Sequence, residues 1–187
     1  SASATSFTEI FGGADNDLIE LGAVSKTLDG LLGEICIRGE ANELDAAPTE
    51  TITAKTRDIT QTLLIGDTLL FSDELDGDAN DYTMSEGSIG RTGLPVVLFE
   101  SIETVLLFAG IGAASVEVLD TPDASTTTIV TQAAADSLRI TSSGDESVLV
   151  IETGAAPDVI TIDDTGRASI TRVDAGADAD VLTLLNS

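Results

Sequence analysis

Two acidic segments of the chain have the residue types that bind calcium. The first follows a pair of glycines at residues 12 and 13, and the second is the acidic stretch from residue 73 to residue 81. Calcium takes about six to eight oxygen ligands from carboxylates, amides and backbone carbonyls, and glycine-rich turns expose carbonyls. The sequence therefore predicts calcium as the cofactor. Its candidate ligands are Asp15, Asn16, Asp17, Asp73, Asp76, Asp78 and Asp81.

The same side chains also have a structural interpretation. Asp and Asn cap turns by accepting hydrogen bonds from nearby backbone N–H groups, and surface acids keep strand edges from associating. The spacing in the 73–81 stretch does not fit an EF-hand loop. A third set, Asp136, Asp158 and Asp180, precedes three apolar runs at intervals of 22 residues. For this set we favour stacked turn-capping Asp, although stacked like charges repel and calcium or salt would relieve that cost.

The composition excludes several classes of function. The chain has 187 residues, with 33 acidic and 8 basic side chains, no histidine and a formal net charge of -25. A phosphate backbone or an anionic lipid surface needs a basic partner, so we predict neither nucleic-acid binding nor binding to anionic lipid. No stretch approaches ~18 uninterrupted apolar residues, so we predict no membrane insertion. Mechanisms that need an imidazole are excluded. The lone Cys36 has no cysteine to pair with inside the chain, and we interpret it as a small residue in a strand.

Paired carboxylates also suit glycoside hydrolysis. Sugar-cleaving sites usually add aromatic platforms, and aromatic residues make up only 3% of this chain. Polysaccharide lyases want a basic group beside the substrate acid, and the C-terminal half holds only Arg139, Arg167 and Arg172. We keep an enzyme as the third hypothesis.

An eleven-residue repeat organises the C-terminal half. Eight positions in steps of eleven are all aliphatic: Leu107, Val118, Ile129, Ile140, Ile151, Ile162, Val173 and Leu184. A row two residues earlier is also mostly aliphatic, so both rows share one face of a β-strand. The row between them is mixed and is predicted to face outward: Leu106, Glu117, Thr128, Arg139, Val150, Thr161, Arg172 and Thr183.

Polar residues double this period. Asp precedes every second strand, and Ser125, Ser147 and Ser169 precede the alternate ones. Recurrent Gly and Asp argue against helices, and β-branched residues favour strands. We predict an all-β, right-handed parallel β-solenoid of about 22 residues per coil, with coils at 98–119, 120–141, 142–163 and 164–185. The hand follows from general crossover preference.

The N-terminal half is less regular. We predict one elongated domain over residues 1–187, with irregular coils and a loop in 1–100 and regular repeats in 101–187. The polar, glycine-rich stretch 73–93 is predicted to be a loop. The predicted strands are Leu18–Leu21, Glu34–Ile37, Thr51–Ala54, Thr62–Ile65, Thr68–Phe71 and Pro95–Phe99.

Three segments carry a family resemblance. Residues 12–20, Gly-Gly-Ala-Asp-Asn-Asp-Leu-Ile-Glu, resemble the calcium-binding nonapeptide G-G-x-G-x-D-x-U-x of RTX-type β-rolls, with Asp15 in place of the third Gly. Residues 176–184 have the same skeleton. The segment Ser-Ile-Glu-Thr-Val-Leu at 101–106 is similar to degenerate solenoid repeats of very large secreted bacterial surface proteins. The resemblance implies an extracellular stalk, adhesin or matrix component.

These observations lead to a ranked set of functional predictions. The first is a non-enzymatic extracellular structural or adhesive segment of a bacterial surface, matrix or filament-forming protein. The alternative is a secreted calcium-dependent binding module for carbohydrate or another surface. The last apolar pair, Leu182 and Leu184, has no charged or helical cap after it. We therefore predict that this end stacks on another copy or on neighbouring repeats of a longer chain.

Overall fold

The computed structural model describes residues 6–13, 16–22, 24–39 and 66–185, together with the backbone of two strands at 51–53 and 60–62. The described residues form strands and turns and contain no helix, which confirms the all-β prediction. The strands are β1 (Phe7–Phe11), β2 (Leu18–Leu21), β3 (Glu34–Arg38), β4 (Thr51–Thr53), β5 (Thr60–Thr62), β6 (Thr68–Ser72), β7 (Asn80–Ser85), β8 (Ser88–Arg91), β9 (Val97–Glu100), β10 (Thr104–Phe108), β11 (Ala114–Val118), β12 (Thr126–Val130), β13 (Ser137–Ile140), β14 (Val148–Glu152), β15 (Val159–Ile162), β16 (Ile170–Asp174) and β17 (Val181–Leu184).

Two large sheets contain most of the strands. The nine-stranded sheet has the order β1-β3-β9-β8-β7-β11-β13-β15-β17, and the six-stranded sheet has the order β16-β14-β12-β10-β6-β2. Every pair in the six-stranded sheet is parallel. In the nine-stranded sheet, β8 is antiparallel to both neighbours, so the prediction of a wholly parallel arrangement is wrong at this strand. β4 and β5 form a separate antiparallel pair.

The 22-residue register is explicit in the C-terminal half. From β10 onward, successive strands alternate between the two sheets. Leu107 lies beside Ile129, and Ile129 lies beside Ile151, each 22 residues further along the chain. The nine-stranded sheet has the same step, since Leu138 lies between Val116 and Ile160. The predicted period and its two unlike strands are confirmed.

Inward-facing aliphatic side chains from both sheets form one core. Leu107 and Ile151 of the six-stranded sheet and Val118 and Ile140 of the nine-stranded sheet are fully buried members of a single hydrophobic cluster. Burying a side chain of this size stabilises the fold by about 1.5–3 kcal/mol. The two aliphatic rows of the repeat therefore hold the sheets together.

The outward row departs from its prediction in the six-stranded sheet. Leu106 and Thr128 are completely buried, whereas Arg139 and Arg172 are exposed as expected. A second hydrophobic cluster occupies this face: Leu70, Leu106, Phe108 and Val130. The outward face is thus buried from β6 to β12, and the aliphatic side chains at these positions are the sequence signal for that burial.

The predicted loop at 73–93 contains two strands, β7 and β8, so that prediction is wrong. Tyr82, Met84 and Ile89 are buried in the core, and the polar residues between them disguise the alternation. β1 was also not predicted. The strand predicted at 18–21 is present with these bounds, and those predicted at 34–37, 68–71 and 95–99 are present with shifts at their ends. β4 lies within the strand predicted at 51–54, and β5 shares only Thr62 with the strand predicted at 62–65; residues 54 and 63–65 lie outside the described residues.

Recurrent left-handed residues make the turns. Ala124, Glu146 and Ala168 have φ values of 52°, 57° and 58°, and each precedes a serine of the 22-residue repeat. On the opposite side, Gly176 has a φ of 79°, and a Cβ built there would lie 1.7 Å from the carbonyl oxygen of Gly154. Only glycine allows adjacent turns to approach this closely.

Candidate functional site

A ladder of carboxylates runs along the turns that lead into β13, β15 and β17. Asp136 accepts a hydrogen bond from the N–H of Ala114 at 2.7 Å, and Asp158 accepts one from Asp136 at 2.8 Å. Asp180 repeats the contact with the N–H of Asp158 at 3.0 Å. Each carboxylate therefore satisfies a backbone donor 22 residues earlier. The row is stacked as predicted, but each carboxylate binds the backbone of the neighbouring repeat and not that of its own turn.

A second ladder leads into the first strands of the six-stranded sheet, and sequence reasoning missed it. The N–H of Asp17 donates to Asp67 at 2.9 Å, and the N–H of Asp67 donates to Glu103 at 2.7 Å. These residues directly precede β2, β6 and β10. Their separations of 50 and 36 residues are not multiples of the repeat, so periodicity does not find them.

In the regular half, serine occupies the position directly before β12, β14 and β16 of the six-stranded sheet. The hydroxyls of Ser125, Ser147 and Ser169 each donate to the carbonyl oxygen three residues earlier, at 2.6 to 2.7 Å. The serine replaces a long-range carboxylate contact with a local one inside the turn. The polar slot before each strand is therefore a structural element of both halves.

The acidic stretch after β6 is built around a buried arginine. Asp73 is fully buried, and its carboxylate accepts hydrogen bonds from the N–H of Leu28 at 2.8 Å, from the Tyr82 hydroxyl at 2.7 Å and from Arg91 at 2.8 Å. The same guanidinium contacts Asp76. Such a network stabilises buried charges only while all its partners are present.

Arg91 also reaches Asp29, so it joins three separate parts of the chain. Burial by itself would raise the pKa of Asp76, but hydrogen bonds from Asp78, Asn80 and Arg91 lower it below its ordinary value. Burial and the hydrogen bond to Asp73 raise the pKa of Tyr82 far above its ordinary value. The network therefore favours the ionised form of Asp76 and the protonated form of Tyr82.

The predicted calcium ligands are distributed over several environments. Asp15 lies outside the described residues, and Asp17 belongs to the second ladder. The side-chain oxygen of Asn16 is buried and has no hydrogen-bond partner. Asp78 and Asp81 are exposed. Among the described residues, no group of three or more acidic, histidine or cysteine side chains is placed to hold a metal, and calcium stays a prediction.

At the C-terminal end of the nine-stranded sheet, side chains of the inward-facing rows are exposed. Leu182 and Leu184 are 48% and 68% exposed, whereas Ile160 and Ile162, their neighbours on β15, are 0% and 6% exposed. β16 and β17 are the outermost strands of their sheets. This end combines apolar surface with two open strand edges, which is the usual form of a strand-addition site.

An open groove of about 570 Å³ lies where β9 leads into β10, beside the turn before β12. Its residues include Glu86, Glu100 and Asp123, with Phe99 and Ile102 among its apolar groups. Phe99 is its one aromatic residue and is 5% exposed. The groove therefore lacks an open aromatic platform for a sugar ring.

Comparison of the chain with protein-family models, with curated proteins and with solved structures gives no match. In the part of the chain that the structure describes, no helix is long and apolar enough to cross a membrane.

Proposed function

We propose that the chain is a non-enzymatic, extracellular β-solenoid segment with a structural or adhesive role in a bacterial surface, matrix or filament-forming protein. The observation that carries this proposal is the constant 22-residue register, in which strands of both sheets pair in parallel with the strand one repeat later. Each added coil lengthens such a solenoid along its axis and leaves its cross-section unchanged.

The use of the polar groups supports a structural role. The carboxylates of Asp136, Asp158 and Asp180 each hold a backbone donor of the adjacent repeat. Asp73 and Asp76 hold Arg91. These acids bind partners within the protein, and the three carboxylates that do converge, those of Asp29, Asp73 and Asp76, are neutralised by Arg91. The exposed acids give the surface a strong negative charge, which keeps a long repetitive particle soluble.

Deletion of one whole repeat tests the proposal. Removing residues 142–163 joins two turns in the same register, because exactly one strand of each sheet is lost. We expect cooperative unfolding, a retained β-sheet circular dichroism spectrum and a particle shorter by about 4.8 Å in small-angle scattering. The matched control removes residues 142–152. This deletion takes out a single strand, so every later strand would have to move to the opposite sheet.

The two deletions separate the outcomes. A solenoid tolerates the whole-repeat deletion and fails to fold with the half-repeat deletion. If both variants unfold, or if the scattering of the intact chain is that of a compact particle, the proposal is wrong.

A second candidate is a calcium-dependent binding module for carbohydrate or another surface. The buried, unpartnered side-chain oxygen of Asn16 favours it, since a cation would supply the missing contact. We expect bound calcium to raise the melting temperature by several degrees, because a ligand of the native state stabilises it by mass action. The Asn16→Ala variant should lose this increase, and the exposed Asp78→Asn variant should keep it. Equal melting with calcium and with chelator would contradict the candidate.

A further inference from the structure

The two ends of the six-stranded sheet have matching strand directions. β2 is the outermost strand at one end and β16 is the outermost strand at the other, and all pairs between them are parallel. A second copy placed head to tail therefore brings β2 against β16 in the parallel orientation used throughout the sheet. Antiparallel pairing of two identical ends would break that pattern.

The register that runs through the sheet defines which residues would meet. Following the pairs from β2 to β16 aligns Leu18 with Ile170, Glu20 with Arg172, and Leu21 with Val173. Leu18 and Ile170 are 37% and 49% exposed at their respective ends. Head-to-tail contact would cover both.

In the middle column of this sheet only the two terminal strands carry a charged side chain, whereas Glu152 and Asp174 lie in another column. The column through the middle of the strands consists of Glu20, Leu70, Leu106, Thr128, Val150 and Arg172. Its negative end is at β2 and its positive end is at β16. Opposite charges at corresponding positions of the two ends favour contact between unlike ends and disfavour contact between like ends.

We propose that β16 of one molecule binds β2 of a second copy in this same register, with Arg172 paired to Glu20 and Ile170 packed on Leu18. The proposal rests on the proposed structural function and names its partner as the chain itself. Glu20 already contacts Lys26 at 2.5 Å, and a carboxylate has room for both cations. Because the contact joins different surfaces of the two molecules, it is not closed by twofold symmetry and extends into filaments.

Salt has a defined effect on this contact. Each molecule carries a formal net charge of -25, so two molecules repel at low ionic strength. Screening over a Debye length of about 8 Å at physiological salt weakens that long-range repulsion more than a pair in direct contact. We expect association to strengthen as salt is raised from very low to physiological concentration.

Sedimentation velocity over a range of protein concentrations tests the contact with the chain of residues 1–187 free of terminal tags. Arg172→Glu and Glu20→Lys each place like charges at the seam and should weaken association by about tenfold or more. The double variant reverses the pair and should recover to within about threefold of the unaltered protein. Arg139→Glu is the matched control, because Arg139 is also exposed and outward-facing but lies on β13, an internal strand of the other sheet.

An independent variant avoids the ion pair. Ile170→Asp places a charge on the exposed apolar part of the seam and should abolish association while the circular dichroism spectrum is kept. A protein that sediments as a monomer at every concentration overturns the contact. Two weakened single variants without recovery in the double variant overturn the register. Neither result bears on the solenoid fold, which the repeat deletion tests separately. Failure of the seam and failure of the proposed function are therefore distinguishable.

Discussion

The regular region, residues 104–185, and the irregular region before it satisfy their buried polar groups in different ways. In the regular region, each Asp of the ladder holds one N–H of the neighbouring repeat, and the contact recurs without change. In the irregular region, Arg91 alone joins Asp29, Asp73 and Asp76. The regular region therefore spreads its buried polar contacts over equal repeats. The irregular region has the ladder of Asp17, Asp67 and Glu103 and, in addition, a buried network that depends on Arg91 alone.

Replacing Arg91 with Met should have the largest effect. It leaves the buried carboxylates of Asp73 and Asp76 without their cation, which typically costs about 3–5 kcal/mol. The free energy of unfolding from urea titration measures this cost. Arg139→Met is the control, because its pair with Asp163 is largely exposed and contributes at most about 1 kcal/mol. Equal losses in the two variants would contradict the dependence of the buried network on Arg91.

The second prediction compares a buried and an exposed position of one inward-facing column in the regular region. Ile140 and Leu184 occupy the same inward column, but Ile140 is fully buried and Leu184 is 68% exposed. We expect Ile140→Ala to lower the free energy of unfolding by about 2–5 kcal/mol and Leu184→Ala by less than about 1 kcal/mol. A large loss at Leu184 would mean that another molecule covers this end under the conditions of the measurement.

The third prediction concerns a single contact of the carboxylate ladder. Asp158→Ala leaves the buried N–H of Asp136 without an acceptor and should cost about 1–3 kcal/mol. Asp158→Asn keeps an oxygen in place and removes a charge from a stack of like charges, so its cost should be below about 1 kcal/mol. Chemical unfolding of the pair gives the comparison. If Asn costs as much as Ala, the charge itself is required, as a bound cation would demand.

The smallest effect is expected at alkaline pH in the irregular region. Tyr82 is the only tyrosine, and burial together with Asp73 raises its pKa above the ordinary value of 10.0. A raised pKa contributes stability below about pH 10 that is lost as the pH rises further. Tyrosinate absorbance should therefore appear only as the β-sheet signal disappears, whereas the urea-unfolded chain should titrate near pH 10. Tyrosinate in a protein with intact sheets would show that the network opens separately.

The sequence predicts the regular region well because one physical pattern recurs in it. Two aliphatic rows, the Asp row and the serine row each appear at fixed intervals, and the structure places them in the core and in the turns. Leu106 and Thr128 are the exceptions. A row of mixed polarity indicates an outward face, but it does not reveal which part of that face is covered.

The irregular region could not be predicted to the same degree. The Asp17, Asp67 and Glu103 ladder and the Arg91 network join residues at separations that follow no period. Sequence alone does not place Arg91 beside Asp73 and Asp76. Tyr82 and Met84 alternate as expected for a strand, but the four acidic residues from 73 to 78 make the whole stretch look like a polar loop.

The constant repeat also governs the order in which this chain can fold. In the regular region, the partner of each new strand lies only 22 residues back, so closing the contact orders a short loop. A chain that emerges from a ribosome or a secretion channel can therefore add one coil at a time onto those already formed. In the irregular region, Arg91 must find Asp29 across 62 residues. The slowest step, closure of the long-range contacts around Arg91, therefore comes first as the chain grows. Each later coil then forms on a neighbour that is already folded.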